Sequence, residues 1–155
     1  MPSEAATTGT SQRRLEVLTT RQTEFIDLTN RLEALVAEAG VRDGVLHVHT
    51  RHTTTGLLIN EAEPLLMQDL EGRFARWAPD DHPYAHDDPA RRTVNLGEHE
   101  RRNGFAHCRA ALLRTSETII VAHGRLSLGR WQRVMLVEFD GPQRREVAAL
   151  LVPAP

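Results

Sequence analysis

The chain has 155 residues, 40% of them apolar and 26% charged, which suits one globular domain, because two halves would each have a poor core. Its net charge of −2 and pI near 6.4 give no bulk basic excess, so a nucleic-acid partner would need a local patch. The single cysteine, Cys108, excludes an intrachain disulfide and a cysteine zinc cluster; no apolar run approaches the ~20 residues of a membrane span, and MPSEAATTGTSQ lacks the apolar stretch of a signal peptide. The expected setting is the cytoplasm, with neither membrane nor nucleic acid as partner.

Residues 1–12 are small and polar and are expected to form a disordered tail, with one domain over 13–155. Alternation of Leu15, Val17 and Thr19 predicts a strand over 14–20, and Phe25 and Ile26 finish a second short one. Leu28, Leu32, Leu35 and Val36 recur at helical spacing, with Asp27 or Thr29 as N-cap and Gly40 as the stop. GVLHVHTRH (44–52) reads as a strand. Leu46, Val48, Thr50 and His52 share one face of it, and Val45, His47, His49 and Arg51 the other. His47 and His49 point the same way and suit either a metal pair or plain exposure.

TTTGLLIN is again β-rich. EPLLMQDLEGRFARWAP then predicts a helix, with Pro64 in its first turn and Leu65, Leu66, Leu70, Phe74 and Trp77 near one stripe that also holds Asp69. A Pro- and Asp-rich loop covers 79–92, and 97–114 is helical in its second half, weakened by Gly104. Strands follow at about 117–122, 130–139 and 145–152, joined by HGRLSLG and DGPQ. Strands, helix, strands, helices and strands in that order predict an α+β fold, a compact single domain with a mostly antiparallel curved sheet packed with helices.

The chain carries eight histidines, and imidazole beside carboxylate supplies metal ligands or groups that titrate near neutrality. His52 ends a strand on its core-side face. His86 follows PY in the acidic loop. His107 comes four residues after Asn103 and eight after His99, so a helix would align all three. Glu61 and Asp69 are two helical turns apart and can join such a set. No local pattern fixes a zinc site, so a cluster requires distant segments to converge. In HGRLSLGRWQ, Gly124 and Gly129 frame a tight connection and Trp131-Gln132 opens a strand; a plain hairpin and a ligand-binding loop both fit. In DGPQRRE, Arg145 begins a strand, where it suits an anion grip or a solvated turn charge.

HTTTGLLINE, PYAH, GFAHCRAALL, GRLSLGRWQ and EFDGPQRRE occur in an order and spacing that resembles the YjbQ-like family, over roughly residues 14–152. Members of that family are often labelled secondary thiamine-phosphate synthase, one of them is able to replace that enzyme, and the usual assembly is a homotrimer. The family pattern falls here on His52, Thr53, Asn60, Glu61, Asp69, His86, His107, Gly124, Gly129, Trp131, Gln132 and Arg145. Gln143 stands where an arginine is common, which weakens a two-arginine phosphate clamp. The resemblance implies a small-molecule enzyme acting on a phosphorylated substrate, with pyrophosphate as leaving group. His52, Glu61, His86 and His107 are the expected catalytic groups, converging on one concave site after a bend at Gly56. His52, His86 and His107 are also the expected ligands of a divalent metal, Mg or Zn. Thr53, Asn60, Asp69, Gln132 and Arg145 are expected to bind the substrate. The alternative is a non-catalytic metal- or anion-binding trimeric module.

Overall fold

A computed structural model describes residues 10–155. The first of its elements is β1 (Ser11–Leu18), followed by β2 (Glu24–Asp27), α1 (Thr29–Ala39), β3 (Gly44–Thr50), β4 (Thr55–Asn60) and α2 (Pro64–Trp77). After a 3-10 turn at Ala85–Asp87 come α3 (Gly104–Ala110), β5 (Ser116–Ala122), β6 (Arg125–Leu126), β7 (Arg133–Glu138) and β8 (Arg144–Pro153). The strands form a five-stranded sheet in the order β1-β8-β3-β5-β6 and a three-stranded sheet in the order β2-β7-β4. Every pairing is antiparallel, so the fold is α+β as the element order predicts.

The three-stranded sheet is a middle layer. Along β7, Val134 and Leu136 enter the main core with Leu46 and Val48 of β3, Val147, Ala149 and Leu151 of β8, and Leu28, Leu32, Leu35 and Val36 at α1. Val137 and the following Phe139 enter a second core with Phe74 of α2 and Phe105, Ala106 and Ala110 of α3. A strand covered on both faces needs no polar alternation, which is why VMLV (134–137) reads as one apolar run. The Phe74 and Phe139 rings meet edge to face with centroids 5.0 Å apart.

Several boundaries differ from the sequence expectation. Ser11 and Gln12, expected in the tail, open β1 because their backbone groups extend the ladder with Leu151 and Leu150 of β8 whatever their side chains are; residues 1–9 of that expectation lie outside the described residues. Trp131 and Gln132 precede β7 instead of opening it. The α2 helix starts at Pro64 behind an unforeseen cap, Glu63, whose carboxylate accepts from the amides of Leu65 (3.0 Å) and Leu66 (2.8 Å). Glu61 therefore lies before the helix, not in it. At α1, Asp27 Oδ1 accepts from the Thr29 amide at 2.9 Å, while Thr29 Oγ1 accepts from the Val134 amide at 2.8 Å and ties the helix to β7.

Candidate functional site

The α3 helix rests on the middle sheet, and the 3-10 turn docks against its start. Asp87 Oδ1 accepts from the backbone amides of Asn103 (3.0 Å) and Gly104 (2.9 Å), two donors that the helix itself cannot satisfy. Gly104 allows the approach: a Cβ there would stand 2.5 Å from Tyr84 Cβ. The glycine that weakens the helix signal is thus the reason this turn fits. The docking brings the His86 and His107 rings together, centroids 4.6 Å apart and 64° between planes.

Charged groups surround the pair. Arg92 Nη1 lies 3.1 Å from His86 Nε2 and 3.0 Å from Glu100 Oε1. Arginine only donates, so His86 Nε2 accepts and the ring proton sits on Nδ1. Asn103 Nδ2 donates to Asp140 Oδ2 at 3.1 Å, and Arg101 Nη2 donates to the Asp140 carbonyl at 2.6 Å. Burial holds the His107 pKa below the ordinary 6.5, and the neighbouring His86 and Arg92 act in the same direction, while Asp140 and Glu100 oppose them. Two open clefts meet at His86 and Arg92. One, of about 400 Å³, adds Arg91; the other, of about 320 Å³, adds Arg101 and Arg102. The two linings together carry four arginines and an imidazole, beside the Asp87 and Glu100 carboxylates. Arg92 is paired with Glu100 at 3.0 Å and Arg101 with Asp140 at 3.3 Å, and the excess of cations suits an anionic ligand.

His52 is elsewhere. Its Nε2 accepts from the Glu146 amide at 2.9 Å, joining the β3–β4 turn to β8. Burial and the nearby Arg145 lower its pKa below 6.5. Among the described residues, no three His, Cys, Asp or Glu side chains are grouped to hold a metal ion. The expected His52, His86, His107 metal set is therefore not assembled within one chain. Convergence of His52 with Glu61 also fails. Gly56 lies inside β4, and the chain turns at Thr53-Thr54, so Asn60 and Glu61 stand at the far end of a strand roughly 17–20 Å long that starts after the turn holding His52.

Arg145 is not free to grip an anion. Its Nε and Nη2 donate to Glu138 Oε2 (2.6 Å) and Oε1 (2.7 Å), and Nη2 reaches Thr54 Oγ1 at 2.9 Å. Glu138 is fully buried and also accepts from Thr19 Oγ1 and from the Phe139 and Asp140 amides. An arginine buried without a partner is costly, and the pair ties β7 of one sheet to β8 of the other. The remaining expected substrate-binding residues lie outside the two clefts at His86. Thr53 and Asp69 are exposed, Asn60 Oδ1 accepts from the Glu61 amide, and Gln132 Oε1 accepts from the Gly129 amide. His99 adopts φ +60° before α3 begins and does not align with His107. On the open sheet face, His47 Nδ1 pairs with Thr118 Oγ1 and His49 Nδ1 with Ser116 Oγ across β5.

Sequence reasoning misses Arg91, Arg92, Glu100, Arg101, Arg102, Asn103 and Asp140 as site residues. The doubled arginines of PARRT and HERRN were the available signal. Asp140 reads in the sequence as part of the DGPQ turn.

The model of the family described as UPF0047 protein YjbQ-like matches residues 13–153. A UPF0047 protein of Archaeoglobus fulgidus is 38% identical over 133 residues, covering 86% of this chain and 94% of the relative. The UPF0047 protein YugU of Bacillus subtilis is 36% identical over 132 residues, covering 84% and 91%. Among solved structures, a YbjQ-like protein of unknown function from Sulfolobus solfataricus superposes with a TM-score of 0.82 at 26% identity, over 94% of this chain and 99% of that one. A conserved hypothetical protein from Thermus thermophilus gives 0.74 at 37% identity, over 90% and 99%. The sequence motifs, the two-sheet fold and these matches agree: the chain belongs to the UPF0047 YjbQ-like family.

Proposed function

We propose that the protein is an enzyme acting on a phosphorylated small molecule at the two clefts that share His86, in a transfer that expels pyrophosphate as thiamine-phosphate formation does. The observation that carries this reading is the convergence of Arg91, Arg92, Arg101 and Arg102 on clefts that share His86. Such a transfer gains most from stabilising the departing anion and little from a protein nucleophile. Arginine forks suit that role; the attacking thiazole nitrogen carries no proton to remove, so His107 acts by holding the His86 ring, 4.6 Å away, in place beside Arg92.

A homotrimer and a cytoplasmic setting belong to the same reading. No helix among the described residues is long and apolar enough to cross a membrane, and the lone Cys108 is compatible with a reducing interior. The outer face of the five-stranded sheet supports assembly: it presents Val45, Ala148, Leu150 and Val152 with Ile120, which is 63% exposed.

The test is a titration with pyrophosphate, followed by a turnover assay on a pyrimidine methyl pyrophosphate and a thiazole phosphate. Arg92→Ala should weaken pyrophosphate binding at least tenfold, and His107→Ala should abolish turnover with the fold intact. Binding without turnover in the unaltered protein would replace this reading by the non-catalytic anion-binding module. Unchanged binding and turnover in both variants would remove the site altogether. Light scattering should give three times 17.4 kDa.

A further inference from the structure

A further cleft lies beside the same two segments. It has a volume of about 210 Å³ and is lined by Trp77, Ala78, Pro79, His82, Tyr84 and Cys108. Tyr84 is two residues before His86, and Cys108 directly follows His107, so this cleft and the arginine-lined ones share a partition. Their linings differ. Here there is no Asp, Glu, Lys or Arg, and three of the six side chains are aromatic or heteroaromatic rings.

The walls are held in place. Tyr84 Oη donates to the Pro79 carbonyl at 2.9 Å. The His82 ring stands edge-on to the Tyr84 ring, centroids 4.8 Å apart and planes at 78°. Ala78 is buried, and its carbonyl accepts from Arg109 Nε at 2.8 Å. The Trp77 indole nevertheless remains 55% exposed at the rim. The indole thus offers an open ring face beside a preformed hollow whose lining holds no Asp, Glu, Lys or Arg.

We infer that this cleft binds a small, flat, neutral aromatic or heteroaromatic ring, stacked or edge-on against Trp77, Tyr84 and His82. Size permits it, since a cavity of roughly 150 Å³ holds benzene. Quadrupole-bearing walls favour a flat π-system over a saturated ring of equal bulk, and the uncharged lining favours a neutral ligand over an ion. The inference does not rest on the phosphate reading, and each can fail alone.

The experiment uses the full chain with Trp131→Phe, which leaves Trp77 as the one indole, and titrates it with nicotinamide while exciting at the indole edge. Cyclohexanecarboxamide, similar in size but puckered, is the control. Saturable quenching by nicotinamide is expected, with the control at least fivefold weaker in displacing it. His82→Ala should weaken nicotinamide at least threefold, and Cys108→Met, which fills the hollow, should abolish saturation with the circular dichroism spectrum unchanged. Linear, collisional quenching would overturn the inference. So would equal displacement by the saturated ring, or unaltered binding in the His82→Ala variant, whose exposed side chain is outside the core.

Discussion

Replacing Arg145 with Met removes the fork from a carboxylate that has no access to water. Glu138 would keep its bonds from Thr19 and from the Phe139 and Asp140 amides but lose the two shortest, at 2.6 and 2.7 Å. Breaking a buried pair by removing one partner costs about 3–5 kcal/mol, because the remaining charge is uncompensated. That is a large share of the ~5–15 kcal/mol that holds a domain folded. With a urea m-value of about 2 kcal/mol/M, a loss of about 4 kcal/mol moves the unfolding midpoint down by about 2 M. Equilibrium urea unfolding followed by circular dichroism reads this directly. Glu138→Gln combined with Arg145→Met should recover at least about 1 kcal/mol over Arg145→Met alone, since a neutral amide oxygen still accepts from the two backbone amides without leaving a charge behind. A midpoint shift below about 0.5 M in the single variant, with m unchanged, would refute the reasoning and return Arg145 to the pool of residues available to a ligand.

Three further outcomes follow from particular contacts. Both His107 and His52 have folded pKa values below 6.5, chiefly through burial; the unfolded chain thus binds more protons below that pH, and stability should fall as pH drops from about 6.5 through the folded values. His107→Ala should flatten that slope in urea midpoints measured from pH 7.5 to 5, and an unchanged slope would count against a half-buried imidazole held neutral. Gly56→Ala would place a Cβ 2.4 Å from Leu113 Cβ, and a loss of about 1–3 kcal/mol is expected in chemical unfolding. Thr29→Val leaves the Val134 amide without its 2.8 Å acceptor, which should cost about 1–3 kcal/mol and speed hydrogen exchange at that amide.

Much of the fold is legible in residue order. Alternation along GVLHVHT correctly separates the buried Leu46 and Val48 from the exposed His47 and His49. The 28, 32, 35, 36 spacing marks the face of α1 that enters the core, and Gly40 ends the helix with φ +66°. Of the candidate site, His86 and His107 were legible as candidates, and their meeting was not. It depends on Asp87 reaching the amides of Asn103 and Gly104, 16 and 17 residues on. Arg145 and His52 were misread for the same reason: the partner that occupies each comes from another strand.

Periodicity and turn chemistry are properties of neighbouring residues, so the amino-acid order by itself determined the strands, the helices, the α+β class and the family. Charge pairing is a property of space. Which arginine stays open to solvent and which is sealed against Glu138, and which histidine joins His107, was decided only when two sheets and the α3 helix packed, because burial makes an unpartnered charge or amide too costly to leave and so assigns partners across the chain.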